Sequence, residues 1–357
     1  MAKNSQLSTI KKPPKHLLVI RFSAMGDVAM TVPVLAALTE QYPEVRVTVL
    51  TRAFFAPMFA QIPNVSVFAA DLKGRHKGVV GLWKLYQGLK PLSVDAVADL
   101  HNVLRSNILK RYFLLGKLPF AQIDKGRPEK RHLTAAKNKV FGPLISTHQR
   151  YANVFGKLGV PIQLDKASPL ARQPLSTRVL EIAGKDAKKW IGIAPFAAFQ
   201  GKEYPLDLMA DVIQRIADTK AYKMFFFGGG TKEKDILDQW VTRFEDAVSM
   251  VGQCTFEEEL VLISNLDLML SMDSGNGHLA AIYGIPTITL WGVTHPYAGF
   301  YPFKQDSGYA LLADRGKYPR IPTSVYGKKL PKGYEKAMYT ISPEAVFHKI
   351  LEVLDSA

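Results

Sequence analysis

The chain has 357 residues, 47% hydrophobic and 22% charged, which is the composition of a globular protein with more than one core. One cysteine, Cys254, excludes an internal disulfide framework. No apolar run approaches the roughly 20 residues a membrane-spanning helix needs. The net charge of +15 is concentrated: residues 1–15 carry Lys3, Lys11, Lys12 and Lys15 with no acid, and residues 101–150 hold 11 Lys and Arg against Asp124 and Glu129.

In the first half, β-branched runs at Leu17–Phe22, Val45–Leu50, Val65–Ala70 and Val94–Leu100 read as strands. Val28–Gln41, Phe54–Gln61 and Val79–Lys90 read as the helices between them. Strand and helix in alternation predict a parallel sheet covered on both faces. Past residue 105 the periodicity blurs until Tyr151–Leu158 suggests another helix. Gly159–Thr177, with Pro161, Pro169 and Pro174, reads as an interdomain link.

The alternation then restarts. Strands are expected at Trp190–Ala194, Met224–Phe227, Val248–Val251, Leu266–Met272 and Thr287–Trp291. Helices are expected at Leu206–Asp218, Lys232–Phe244, Phe256–Ser264 and Gly275–Tyr283. Residues 300–340 read as irregular, and Ser342 as the N-cap of a final helix over 343–354. The alternation predicts two Rossmann-like domains: a basic tail 1–15, a first domain 16–175, a second domain 176–340 and a terminal segment 341–357.

Two strand-to-helix turns carry the chemistry. Asp273-Ser274-Gly275-Asn276-Gly277 follows a buried strand and opens a helix. Free amide N–H groups, a hydroxyl and the helix dipole there suit a phosphate. His278 follows one turn into that helix. Ser23-Ala-Met-Gly-Asp27 follows the first strand, and the residues alone leave Asp27 two roles, a first-turn capping acid or a general base.

The Ser23–Asp27 turn followed by a helix with Pro33 resembles the opening of glycosyltransferase family 9, the heptosyltransferases. Three further segments match in family order: Asp99-Leu-His-Asn-Val-Leu-Arg-Ser106, Pro195–Pro205 with Lys202, and Asp273–Ala281. The resemblance spans Leu17–Gly292. It implies a GT-B fold, two doubly wound domains facing each other across a cleft, with the last helix packing back on the first domain.

It further implies Asp27 as catalytic base, Lys202 on the leaving diphosphate, and Glu233 on the ribose. Asp273, Ser274, Gly275 and His278 complete the implied nucleotide-sugar site. The implied activity is inverting, metal-independent transfer of heptose from ADP-heptose to a lipopolysaccharide inner-core acceptor, without a cofactor. Another nucleotide sugar on the same scaffold, or an inactive glycan- or lipid-binding relative, is the alternative. A nicotinamide oxidoreductase is disfavoured, because neither first strand is followed by Gly-x-Gly-x-x-Gly.

No Asp-x-Asp pair or paired histidine spacing suggests a metal, and no motif suggests nucleic acid. The basic region, with Arg105, Lys130 and Arg131, is expected to meet an anionic lipid-linked glycan at the inner membrane surface. Lysines at the amino terminus without an apolar segment behind them give a cytoplasmic, peripheral expectation.

Overall fold

The computed structural model describes residues 13–184 and 187–356, so Lys3, Lys11 and Lys12 of the basic tail lie outside the described residues. Two compact units emerge. The first runs to Lys125 and includes Thr147–Ser168; the second takes Gly126–Ser146 and the chain from Pro169 onward.

The first unit holds β1 (His16–Ile20), α1 (Met25–Ala29), α2 (Val32–Gln41), β2 (Arg46–Thr51) and β3 (Val65–Ala69). It continues through α3 (Gly78–Leu89), β4 (Ala96–Asp99), α4 (Leu104–Leu115) and β5 (Phe120–Gln122). After α5 (Arg127–Leu133), which belongs to the second unit, α6 (Thr147–Lys157) returns to the first. The sheet is parallel throughout, in the order β3-β2-β1-β4-β5. Its central strand β1 is buried along its whole length, as a parallel strand covered on both faces must be. Strand order reverses between β1 and β4, so the loops leaving their carboxyl ends diverge and open a site there.

The single helix expected over Val28–Gln41 is two. Pro33 falls in the first turn of α2, where its missing N–H costs little, and the chain restarts its helix there rather than running through. The helix expected at Phe54–Gln61 is a 3-10 turn, Ala53–Phe59, containing Pro57. The blurred stretch past residue 105 resolves into α4, β5 and α5.

The second unit adds α7 (Thr177–Ala183), β6 (Lys189–Ala194), α8 (Leu206–Asp218), β7 (Tyr222–Phe226), α9 (Gly230–Arg243) and β8 (Ala247–Ser249). Then come α10 (Phe256–Ser264), β9 (Leu268–Met272), α11 (Gly275–Ile282), β10 (Thr287–Trp291), β11 (Ala310–Leu312) and α12 (Pro343–Asp355). Its parallel sheet has the order β11-β10-β9-β6-β7-β8, reversing between β6 and β9.

The sequence assigns residues 126–146 to the first domain, but their side chains are committed to the second unit. Lys139 Nζ donates to the carbonyls of Leu133, Arg320 and Pro322 at 2.9, 2.9 and 2.6 Å. The Phe141 ring lies 3.4 Å from the Arg315 guanidinium carbon and stacks near His295 and Tyr297.

The terminal helix also differs from expectation. Ser342 caps it, accepting from the Ala345 N–H at 3.1 Å. However, Val346, Ile350, Val353 and Leu354 are buried in the second unit's own core with Met209, Val212, Ile213 and Ile216 of α8. This apolar stripe at helical spacing is therefore satisfied within the second unit's own core. Ile350→Ala should destabilise the protein by about 2–5 kcal/mol, the usual cost of a large-to-small core change. Chemical denaturation followed by far-UV circular dichroism measures it.

Candidate functional site

In the first unit, Asp27 sits in the first turn of α1, just beyond the carboxyl end of β1. Its Oδ2 lies 2.6 Å from Arg21 Nη2 and accepts a longer bond, 3.3 Å, from the Ala24 N–H. The capping role and a charge pairing therefore coexist on one carboxylate that remains partly exposed.

Arg21 is buried. Its Nη1 donates to the Leu100 carbonyl at 2.7 Å, and its guanidinium stands 5.8 Å from the Tyr151 ring centre. Tyr151 in turn donates its hydroxyl to the Asp27 carbonyl at 3.3 Å. A residue no motif singled out thus fixes the acid. A basic residue just past β1, six positions before Asp27, was the only signal in the sequence.

The Asp99–Ser106 segment is mostly architecture. Asp99 accepts from the N–H groups of His101 and Asn102 and from Gln122 Nε2, which folds the turn after β4. His101 Nδ1 accepts from the Phe22 N–H at 3.3 Å. Burial pushes the His101 pKa down to about 3, with Arg21, Lys125 and Arg105 adding repulsion. The imidazole is neutral at ordinary pH. Arg105 is exposed and lines a cavity of about 510 Å³ together with Ser23, Arg52, Phe54 and Lys73.

In the second unit, Lys202 Nζ lies 2.9 Å from Asp273 Oδ2, with both side chains largely buried. Close backbone packing sets this pairing. A Cβ on Gly201 would stand 2.5 Å from Val293 Cγ2, and one on Gly327 would stand 2.5 Å from Lys202 Cγ, where φ is also positive. The lysine stem therefore runs over a bare glycine backbone to reach Asp273. Ser274 precedes α11, but its side chain makes no cap bond to the helix. Its hydroxyl instead meets Ser271 Oγ at 3.0 Å, so the first-turn amides of Gly275–Gly277 take no cap from Ser274. His278 is buried within that helix.

Glu233 accepts from the Gly229 N–H at 2.6 Å at the start of α9. It lines a cavity of about 660 Å³ with Phe196, Gln200, Glu203, Tyr204, Lys232 and Ile236. Burial, then the nearby Glu233 charge, raises the Glu203 pKa above the usual carboxylate range. Gln200 and Glu203 bracket Lys202, so the cavity and the Lys202–Asp273 pair adjoin along the β6–α8 loop. Among the described residues, no group of three or more His, Cys, Asp or Glu side chains is arranged to hold a metal ion.

The profile of Glycosyltransferase family 9 (heptosyltransferase) matches residues 82–325. The chain belongs to glycosyltransferase family 9. It is similar to the lipopolysaccharide core heptosyltransferase OpsX of Haemophilus influenzae, 25% identical over 292 residues, covering 79% of this chain and 80% of the relative. A solved family 9 glycosyltransferase from Veillonella parvula shares its fold at a TM-score of 0.74 and 20% identity, covering 96% and 98% of the two chains. The E. coli heptosyltransferase WaaC, solved with ADP, shares it at a TM-score of 0.67 and 17% identity, covering 95% and 99%. The two doubly wound units are those of the GT-B class.

Within this family 9 chain, the expected acceptor residues are divided between the two units. Arg105 belongs to the first unit, whereas Lys130 and Arg131 lie on α5 in the second. Lys130 is only 7% exposed, with Nζ 4.1 Å from the centre of the Phe300 ring. Its placement is that of a packed cation–π residue and not of a surface contact. Arg131 stays exposed.

The neutral buried histidines make acid stability testable. Burial, with Arg315 and Lys139, lowers the His295 pKa to about 4. Between about pH 6.5 and these lowered values the unfolded chain binds protons that the folded chain refuses. Stability should therefore fall as pH drops from 6.5 toward 4. His101→Gln should flatten that fall, as measured by urea midpoints across the range.

Proposed function

We propose that this family 9 enzyme transfers heptose from ADP-heptose to a lipopolysaccharide inner-core acceptor by an inverting, metal-independent displacement at the cytoplasmic face of the inner membrane. The observation that carries the reading is the Lys202–Asp273 pair beside the open amino terminus of α11. A lysine has three N–H donors, and Asp273 takes one. The others, with the Gly275–Gly277 amides and the helix dipole, form a donor-rich, amide-lined cradle for a diphosphate. That cradle can carry the leaving-group charge that other transferases give to a divalent ion.

The cavity beside it suits a nucleoside. Its size lies in the range of small-molecule sites, and Phe196 and Ile236 give it apolar walls. Glu233 can accept both ribose hydroxyls. Adenosine diphosphate fits this combination, and it is the nucleotide with which the E. coli WaaC relative was solved. In the first unit, Asp27 takes the proton of the acceptor hydroxyl as that oxygen forms its bond to the anomeric carbon. The bond from that carbon to the diphosphate oxygen breaks on the opposite face, which inverts the centre. Arg21 holds the carboxylate in place for the step. Arg52, Lys73 and Arg105 give the adjoining cavity the charge to receive acidic groups of a phosphorylated or carboxylated glycan.

Asp27→Asn should lower kcat about 10²–10⁴-fold while ADP affinity holds, since the base and the diphosphate donors belong to different units. Activity within a few-fold of wild type would return Asp27 to capping alone. Lys202→Ala should weaken ADP binding by about 1.5–3 kcal/mol in calorimetry, the range for hydrogen bonds to charged groups. EDTA should leave turnover unchanged; inhibition reversed by Mg²⁺ would overturn the metal-free reading. A donor panel of nucleotide sugars identifies the sugar transferred.

A further inference from the structure

Helices α3 and α4 pack side by side on one face of the first unit's sheet, joined through an edge-on contact of Trp83 with Tyr112 at 5.0 Å. Their inner faces supply Leu82, Leu85, Leu89, Leu109 and Phe113 to the core. The outer faces are also apolar, which an ordinary surface helix does not need. Leu104 is 77% exposed, Leu115 80% and Val80 70%; Val79, Trp83 and Leu114 are exposed beside them. Leu104, Ile108, Arg111 and Leu115 recur at helical spacing along one flank of α4.

The charge on this face has a single sign. Neither helix contains an acid, while they carry Lys84, Arg105, Lys110 and Arg111, with Lys77, Lys90 and Lys117 at their ends. The flanking acids Asp71 and Asp95 are engaged by backbone amides, Asp71 by Gly74 and Arg75, Asp95 by Lys15 and His16. A purely solvating basic face would not expose six large apolar side chains. A protein-docking face would have no need of exclusively basic charge.

We infer that the outer face of α3 and α4 is a membrane-docking surface that seats on an anionic lipid bilayer. Trp83, Val79, Val80, Leu104 and Leu115 enter the headgroup boundary, and the surrounding lysines and arginines meet lipid phosphates. The inference deepens the membrane part of the proposed function and rests on it only for the choice of lipid. It also relocates the membrane contact. Lys130 is packed inside the second unit, and the six exposed apolar residues, not net charge alone, define the surface.

Vesicles without donor or acceptor test this apart from catalysis. The full chain should co-sediment with phosphatidylcholine vesicles containing phosphatidylglycerol, and little with phosphatidylcholine alone, with binding falling as salt rises. Lys84→Ser with Arg111→Ser should lower the partition about thirtyfold. Leu104→Ser with Leu115→Ser should lower it at least about tenfold. Far-UV circular dichroism and the urea midpoint should be unchanged in both, which shows that the substituted first unit is folded. The wild-type chain gives an independent readout. Trp83 is exposed whereas Trp190, Trp240 and Trp291 are buried, so brominated lipid should quench emission that Trp83→Phe removes.

Unchanged partition in both double variants, or no quenching of Trp83, overturns the inference. So does a concentration-dependent dimer that the same substitutions abolish while vesicles are ignored. That outcome would make the face an interface between copies of the chain.

Discussion

Parallel pairing is the constraint from which the site follows. Because every strand in both sheets points the same way as its neighbours, all carboxyl ends within a sheet gather on one edge. The loops leaving those ends are the ones with backbone groups to offer. Asp27 follows β1, Lys202 follows β6, Glu233 follows β7 and Asp273 follows β9. Within the second unit, residues 71 positions apart in the chain, Lys202 and Asp273, become an ion pair because β6 and β9 are adjacent strands. The strand reversal between them opens the place where an anion can sit.

Burial then sorts the charged groups by task. Arg21 and Lys202 are both enclosed and both paired with a carboxylate, so neither position is free to wander as a surface lysine would. An enclosed pair is poor evidence of added stability, because desolvation offsets much of the attraction. It is better evidence of positioning. By contrast, Lys84, Arg105 and Arg111 on α3 and α4 stay exposed among apolar side chains, where their charge is felt over a Debye length.

Much of this was legible in the sequence because it rests on local signals. Helices Leu206–Asp218 and Phe256–Ser264 were readable from periodicity, and the Asp273–Gly277 turn from its glycines following a buried apolar run. What was not legible depends on long-range packing. Arg21 gains its meaning from Leu100 and Tyr151, far along the chain. Lys130 looked like a member of a basic cluster, but Phe300 buries it. The terminal helix showed an apolar stripe without an address, and only the α8 core supplies one. Strand β11 is three residues in a Tyr-, Pro- and Gly-rich stretch, too short for any alternation to register.

The course of the chain has its own consequence. Because Gly126–Ser146 joins the second unit while Thr147–Ser168 returns to the first, the polypeptide passes between the units three times. A gene fragment cut at the apparent linker near residue 168 would carry residues 126–146 away from the carbonyls of Arg320 and Pro322 that clasp Lys139. The complementary fragment would lack the ring that stacks on Arg315. Neither half is a self-contained module, so domain shuffling among relatives would have to exchange a discontinuous piece. During synthesis, residues 126–146 emerge long before their partners and must wait for the ribosome to finish the second sheet.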